Sequence, residues 1–194
     1  MTTLTHPADR ARPAPFPDAD HPCDQDLLAE TLRCYKPHCR YLTSIGTRVR
    51  DGHLSAIAEL RIPESCYIDD TGHLNAVEVN ICYNQMLYYV IAKAIREGLA
   101  PEFGGWTLPD YWERRLGAVL IVKLQSSFQR PIDARHFFGE FTLGRARRFR
   151  PPGRAPGDEE TLISMDTSFR YWDDNDGRCS GQVKVAVTEG APAF

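Results

Sequence analysis

Two kinds of apolar pattern run through this chain. Between Leu74 and Glu97, sixteen of 24 positions are apolar and fall all round a helical wheel. That distribution predicts a helix buried on most sides. Asn75 followed three residues later by Glu78 reads as a capping box, Leu74 with Val79 as a hydrophobic staple, and Gly98 as the stop. At about 1.5 Å per residue the helix is about 35 Å long. Glu78, Asn80, Asn84, Gln85 and Lys93 make it too polar for a membrane span.

The other pattern is strand-like. Arg40 to Arg50 and His53 to Ile62 alternate and are joined by Asp51-Gly52, the signal of a two-residue hairpin turn. Beyond a Gly/Pro-rich loop come Ala118 to Gln129, Phe137 to Phe149, Thr161 to Trp172 and Cys179 to Thr188, separated by turn-forming segments. Short helices are expected between Cys23 and Cys34, ending before Pro37, and from Asp110 to Leu116. Two strands, one long buried helix and four more strands do not suit a doubly wound sheet. They predict an α+β hot-dog fold, a curved antiparallel sheet wrapped around one long central helix.

A chain of 194 residues with 42% apolar composition suits one domain. Residues 1–22, rich in Pro, Asp and Thr, are expected to form a flexible N-terminal tail, and residues 23–190 a single domain. A net charge of −3 argues against nucleic-acid binding. With no secretory segment after Met1, a cytoplasmic location is expected, and the six cysteines are read as buried free thiols. Cys34, His38 and Cys39 raise a metal site as an alternative, weakened by the absence of a second Cys/His pair.

Ser65-Cys66-Tyr67-Ile68, Thr71-Gly72-His73-Leu74-Asn75-Ala76-Val77-Glu78 and Cys82-Tyr83-Asn84-Gln85 resemble the FcoT-type thioesterase family of hot-dog proteins. Cys39-Arg40-Tyr41-Leu42, Phe128-Gln129-Arg130-Pro131 and Trp172-Asp173-Asp174-Asn175-Asp176-Gly177 support the likeness, which covers about residues 25–188. The resemblance implies a long-chain acyl thioesterase. In the branch that serves isonitrile lipopeptide biosynthesis, it implies addition of glycine to the β-carbon of a (2E)-enoyl thioester on an acyl carrier protein, then hydrolysis of the adduct. It further implies a homodimer or higher homo-oligomer with sites at the subunit interface. No metal or redox-cofactor motif is present, so no cofactor is expected, and neither is a membrane partner. A non-catalytic acyl-binding module is the remaining alternative.

Both reactions place negative charge on the thioester oxygen, and the backbone N–H groups of Gly72 to Asn75 at the positive end of the helix suit that charge. Asn75 matches a family site residue whose amide could donate to that oxygen, set against a pure capping role. Glu78 is weighed as a water-activating carboxylate against a side chain turned back to the Asn75 N–H. Asn84 also matches the family, yet nine positions at about 100° each put it opposite Asn75, so the two share a site only through two subunits or an irregular helix start. Tyr67 and Tyr35 match as hydrogen-bond donors or as core aromatics. His73 is the titratable candidate, able to take a proton from glycine's ammonium group, to bind its carboxylate as a cation, or to be merely structural. Ser65 and Cys66 are rival nucleophiles without a Gly-x-Ser-x-Gly elbow. Arg145, Arg147, Arg148, Arg150 and Arg154 form a basic run, either a solvated loop or a docking patch for the acidic carrier protein.

Overall fold

The long apolar run folds as helix α2 (Ala76–Glu97) in a computed structural model that describes residues 19–150 and 161–189. Asn75 caps it, its side-chain oxygen accepting from Val77 N and Glu78 N, and Gly98 ends it at φ +66°, a left-handed conformation suited to glycine. Val79, Cys82, Tyr83, Met86, Leu87, Tyr89 and Val90 are buried.

Six strands wrap this helix: β1 (Leu42–Arg50), β2 (His53–Leu60), β3 (Val119–Arg130), β4 (Phe137–Phe149), β5 (Leu162–Trp172) and β6 (Arg178–Thr188). They form one antiparallel sheet in the order β1-β2-β4-β5-β6-β3. This is the predicted hot-dog arrangement. The β1–β2 turn has Asp51 and Gly52 at φ +52° and +75°, the paired positive values of the tight hairpin that Asp-Gly signals. The period-two pattern turns one face inward: Leu54, Ala56, Ala58 and Leu60 on β2, Ile163, Met165, Thr167, Phe169 and Tyr171 on β5, and Val183, Val185 and Val187 on β6. Gly139 on β4 lets the helix come close, since a Cβ there would sit about 3.0 Å from Met86 Sδ and from the Tyr171 ring.

Polar bonds fix the helix against the sheet. Tyr83 Oη and Thr167 Oγ1 are 2.6 Å apart, and the buried Gln85 side chain accepts from Tyr41 N and Leu42 N while donating to Cys39 O. Helix α1 (Gln25–Leu32) packs Leu27, Leu28 and Leu32 into the core. Helix α3 (Leu108–Ala118) starts two residues earlier than predicted, because Thr107 and Asp110 form a reciprocal capping box. Two short 3₁₀ turns, Pro37–Cys39 and Pro101–Phe103, occupy segments read as loop.

Some expectations change. Cys82 and Cys179 are buried, but Cys34 is exposed and Cys23, Cys39 and Cys66 are only partly covered. Cys34, His38 and Cys39 do not converge with a further ligand: among the described residues no group of three or more His, Cys, Asp or Glu could hold a metal ion. On β3, an edge strand, Leu120, Val122 and Phe128 are exposed. Of the expected tail, residues 1–18 lie outside the described residues, and His21 pairs with Thr47 of β1 at 3.0 and 2.9 Å. Arg154 of the basic run also lies outside them, while Arg148 is held by Glu189 and Gly104 O. Among the described residues no helix is long and apolar enough to cross a membrane.

Candidate active site

Three stretches far apart in sequence meet at the start of α2. Leu74 N donates to Ile132 O and Ile62 N to Ala134 O, each at 2.9 Å, lacing the segment before the helix to the β3–β4 connection. Asp173 anchors that connection from the end of β5: it is buried, its Oδ2 accepts from Asp133 N, and its Oδ1 accepts from Asn175 N and Gly177 N. Asp70 shapes the final turn, its Oδ1 accepting from Gly72 N at 2.8 Å with Gly72 at φ +73°. The Gly72 N–H and Arg135 hold the Asp70 carboxyl below its usual range.

At the centre lies Asn75. Its Oδ1 accepts from Val77 N at 3.0 Å, Glu78 N at 3.1 Å and the Tyr67 hydroxyl at 2.8 Å, while Nδ2 donates to Glu78 Oε2 at 2.9 Å. The oxygen is fully engaged, and one amide hydrogen remains. The expected capping box is therefore replaced. Glu78 meets the Asn75 side-chain amide rather than its backbone N–H, which keeps the carboxylate pointed at the site. Tyr67 is half exposed, and its one proton is committed to Asn75.

The expected anion cradle is smaller than Gly72 to Asn75. The Gly72 and Leu74 N–H groups are taken by Asp70 and Ile132, and the cap takes those of Val77 and Glu78. Among the described residues the N–H groups of His73, Asn75 and Ala76 have no hydrogen-bond partner, and that of Ala76, at the first helical position, stands at the positive helix end beside the Asn75 side chain. His73 Nδ1 lies 2.9 Å from Thr71 O. A carbonyl oxygen only accepts, so Nδ1 carries the hydrogen and Nε2 is the ring nitrogen left to exchange a proton.

Tyr67, His73, Asn75 and Glu78 thus gather in one place, and Asn84 and Tyr35 do not join them. Asn84 is half buried on the other side of α2, one turn before Tyr88, against whose ring Tyr35 packs with centroids 6.3 Å apart. Burial raises the Tyr35 hydroxyl well above its usual range, so it stays a neutral donor. The buried guanidinium of Arg115, stacked 4.5 Å over Trp112, borders this second group.

Sequence reasoning missed Arg135 and the buried Asp173. The Asp173-Asp174-Asn175-Asp176-Gly177 run signals a turn, and nothing in it shows that Asp173 reaches across to Asp133. Ser65, a rival nucleophile by sequence, has its Oγ buried with no hydrogen-bond partner among the described residues.

Residues 30–187 match the FcoT-like thioesterase domain, and this chain belongs to that family. It is 49% identical over 163 residues to a protein of Streptomyces coeruleorubidus named (2E)-enoyl-[ACP] glycyltransferase, across 84% of this chain and 96% of the relative. A Mycobacterium marinum protein of the same name is 32% identical over 164 residues, 84% of this chain and 85% of the other. Among solved structures, a putative thioesterase from Ralstonia eutropha aligns with 83% of this chain and 99% of its own, at 15% identity and a TM-score of 0.41.

Proposed function

We propose that this protein adds glycine to the β-carbon of a (2E)-enoyl thioester on the phosphopantetheine arm of an acyl carrier protein. It then hydrolyses the thioester, releasing a 3-[(carboxymethyl)amino] fatty acid for isonitrile lipopeptide assembly. The observation that carries this reading is the 49% identity extending over 96% of the Streptomyces glycyltransferase.

The site chemistry supports it. Glycine's ammonium group passes a proton to His73 Nε2, and the freed nitrogen pair attacks the β-carbon. The C–N bond forms as the π pair moves through the α-carbon onto the thioester oxygen. The Ala76 N–H and the Asn75 amide hold that oxygen, and His73 returns the proton to the α-carbon. Water, passing a proton to His73 Nε2, then attacks the carbonyl, and the same donors hold the tetrahedral oxyanion. As it collapses the C–S bond breaks, and the carrier sulfur takes that proton to leave as the thiol. Tyr67 acts by aligning Asn75 or, after rotating away, by donating to the anion.

Asn84 and Tyr35 belong to the same site in a homodimer, contributed by the second subunit. The exposed apolar residues of edge strand β3, Leu120, Val122 and Phe128, suit subunit contact. The basic residues Arg145 and Arg147 suit docking of the acidic carrier protein. In this reading residues 23–190 act as one domain, and the protein works in the cytoplasm without cofactor, nucleic acid or membrane.

The test is intact mass spectrometry of a crotonyl-loaded carrier protein incubated with the enzyme, with and without isotopically labelled glycine. A labelled adduct or its released acid is expected. A second reading is a long-chain acyl thioesterase without amine addition, of which the family's description supports the thioesterase activity. It predicts loss of the acyl group at the same rate whether or not glycine is present.

A further inference from the structure

The approach to α2 separates two hollows. One, about 440 Å³, is lined by Ser65, Asp70, His73, Glu78, Asp133 and Arg135 among others. The other, about 360 Å³, is lined by Asn75, Ala76, Phe128 and Arg130. His73 and Pro131 wall both. The second hollow is lined by the two residues that carry the donors for a thioester oxygen, beside the Phe128 ring. The first has a different chemistry.

Most carboxylates around the first hollow are already answered. Asp173 accepts three backbone N–H groups, Asp70 is held by Gly72 N and Arg135, and Asp133 accepts from Arg135 N. Glu78 differs. Only 2% exposed, it receives the neutral Asn75 amide on Oε2, and among the described residues Oε1 has no partner. A buried carboxylate without a cation is costly, and a bound cation offsets that cost. In the same wall, the Ser65 hydroxyl is buried without a partner among the described residues. Arg135 completes the set, exposed and 3.4 Å from Asp70.

We propose that this hollow is the subsite for the amine substrate, an α-amino acid zwitterion. The Glu78 carboxylate receives its ammonium group, and the Arg135 guanidinium and Ser65 hydroxyl receive its carboxylate. The proposal rests on the amine-addition reading above and extends it. His73 then stands in the wall shared by nucleophile and thioester, where one imidazole can serve both proton transfers.

The test combines equilibrium dialysis of radiolabelled glycine with the KM of addition to crotonyl-loaded carrier protein, for wild type, Glu78→Gln and Arg135→Gln, using glycine and methylamine. Glutamine keeps an acceptor for the Asn75 amide while removing the charge. Glu78→Gln is expected to weaken glycine binding and raise the KM of both amines by about tenfold or more, the loss of one charge-assisted hydrogen bond. Arg135→Gln is expected to raise the KM for glycine by a similar factor and leave methylamine, which has no carboxylate, unchanged. Arg135 is exposed, so its variant decides the matter even if Glu78→Gln fails to fold. Arg135→Gln affecting both amines alike, or neither, overturns the proposal. Glycine binding that is lost in the variants while wild type forms no adduct keeps the subsite and overturns the addition reaction. An adduct formed with unaltered glycine binding and KM in both variants overturns the subsite alone, and no glycine binding with no adduct overturns both.

Discussion

The Tyr67 hydroxyl donates to the Asn75 side-chain oxygen at 2.8 Å, and that same oxygen caps the helix through Val77 N and Glu78 N. Capping and site geometry therefore share one atom, and substitutions can separate them. Asn75→Ala should cost about 1 kcal/mol of stability, or about 2–4 °C in Tm, with loss of activity. Asn75→Ser keeps an oxygen for the cap and should recover most of the Tm, yet it has no amide to offer the thioester oxygen or Glu78. Its kcat should remain depressed by about 10²-fold, the scale of losing one oxyanion donor. Thermal melts beside turnover on enoyl-loaded carrier protein check both halves, and full activity in Asn75→Ser would reduce Asn75 to a cap.

Tyr67 gives a complementary case. Its ring is half exposed and among the described residues its hydroxyl bonds only to Asn75, so Tyr67→Phe should shift Tm by less than about 2 °C, within the usual effect of surface substitutions. Activity should nevertheless fall about tenfold, because Asn75 loses the contact that holds its amide in place. An unchanged kcat would make Tyr67 a bystander.

His73→Gln preserves a donor toward Thr71 O and removes the base. Glycine addition is expected to fall by about 10²–10⁴, the range for losing a general acid–base. Mass-spectrometric adduct formation with labelled glycine measures this directly. A rate equal to wild type would move the proton transfer to another group.

Asp24 links helix α1 to the end of α2 and makes stability depend on acid. Its Oδ1 accepts from Leu27 N at 2.7 Å and its Oδ2 meets Arg96 at 2.9 Å. The Leu27 N–H, then Arg96, hold its carboxyl below the usual range. A depressed folded-state pKa means the stabilisation is complete above the unfolded value of about 3.9 and drains away as pH falls through the folded value. Asp24→Asn keeps the cap and loses the charge. Its Tm should be lower than wild type at about pH 7, and the gap should narrow as both are titrated down through the carboxylate range.

Local signals explain which parts of this architecture could be read from sequence. The wheel of apolar residues from Leu74 to Glu97, the stop at Gly98 and the Asp51-Gly52 turn are each set by neighbours a few residues apart. The strands carry their inward face in a period of two. The geometry of the site depends instead on bonds between segments remote in sequence, Leu74 N to Ile132 O, Ile62 N to Ala134 O and Asp173 to Asp133 N. Two of these join backbone to backbone and leave no residue-type signature. The exchange of a capping box for a side-chain pair at Asn75 and Glu78 depends on where Tyr67 and the cavity lie, which their spacing does not encode. The separation of Asn84 from Asn75 was legible, since it follows from helix geometry alone.

That separation supplies the sharpest test of a shared site. Asn75 stands with Tyr67, His73 and Glu78, while Asn84 stands across α2 near Tyr88 and Tyr35. If one subunit supplies the first group and its partner the second, Asn75→Ala and Asn84→Ala homodimers are both inactive. Mixed by refolding or co-expression, the two variants form about half heterodimers by statistical pairing, and each heterodimer has one site with both asparagines intact and one lacking both. Activity should then return to about a quarter of wild type, one good site in four. If Asn75 and Asn84 act within a single subunit, every site in the mixture lacks one of them and nothing is recovered. A fully active Asn84→Ala homodimer would instead remove Asn84 from the chemistry and leave the group around Asn75 as the whole site.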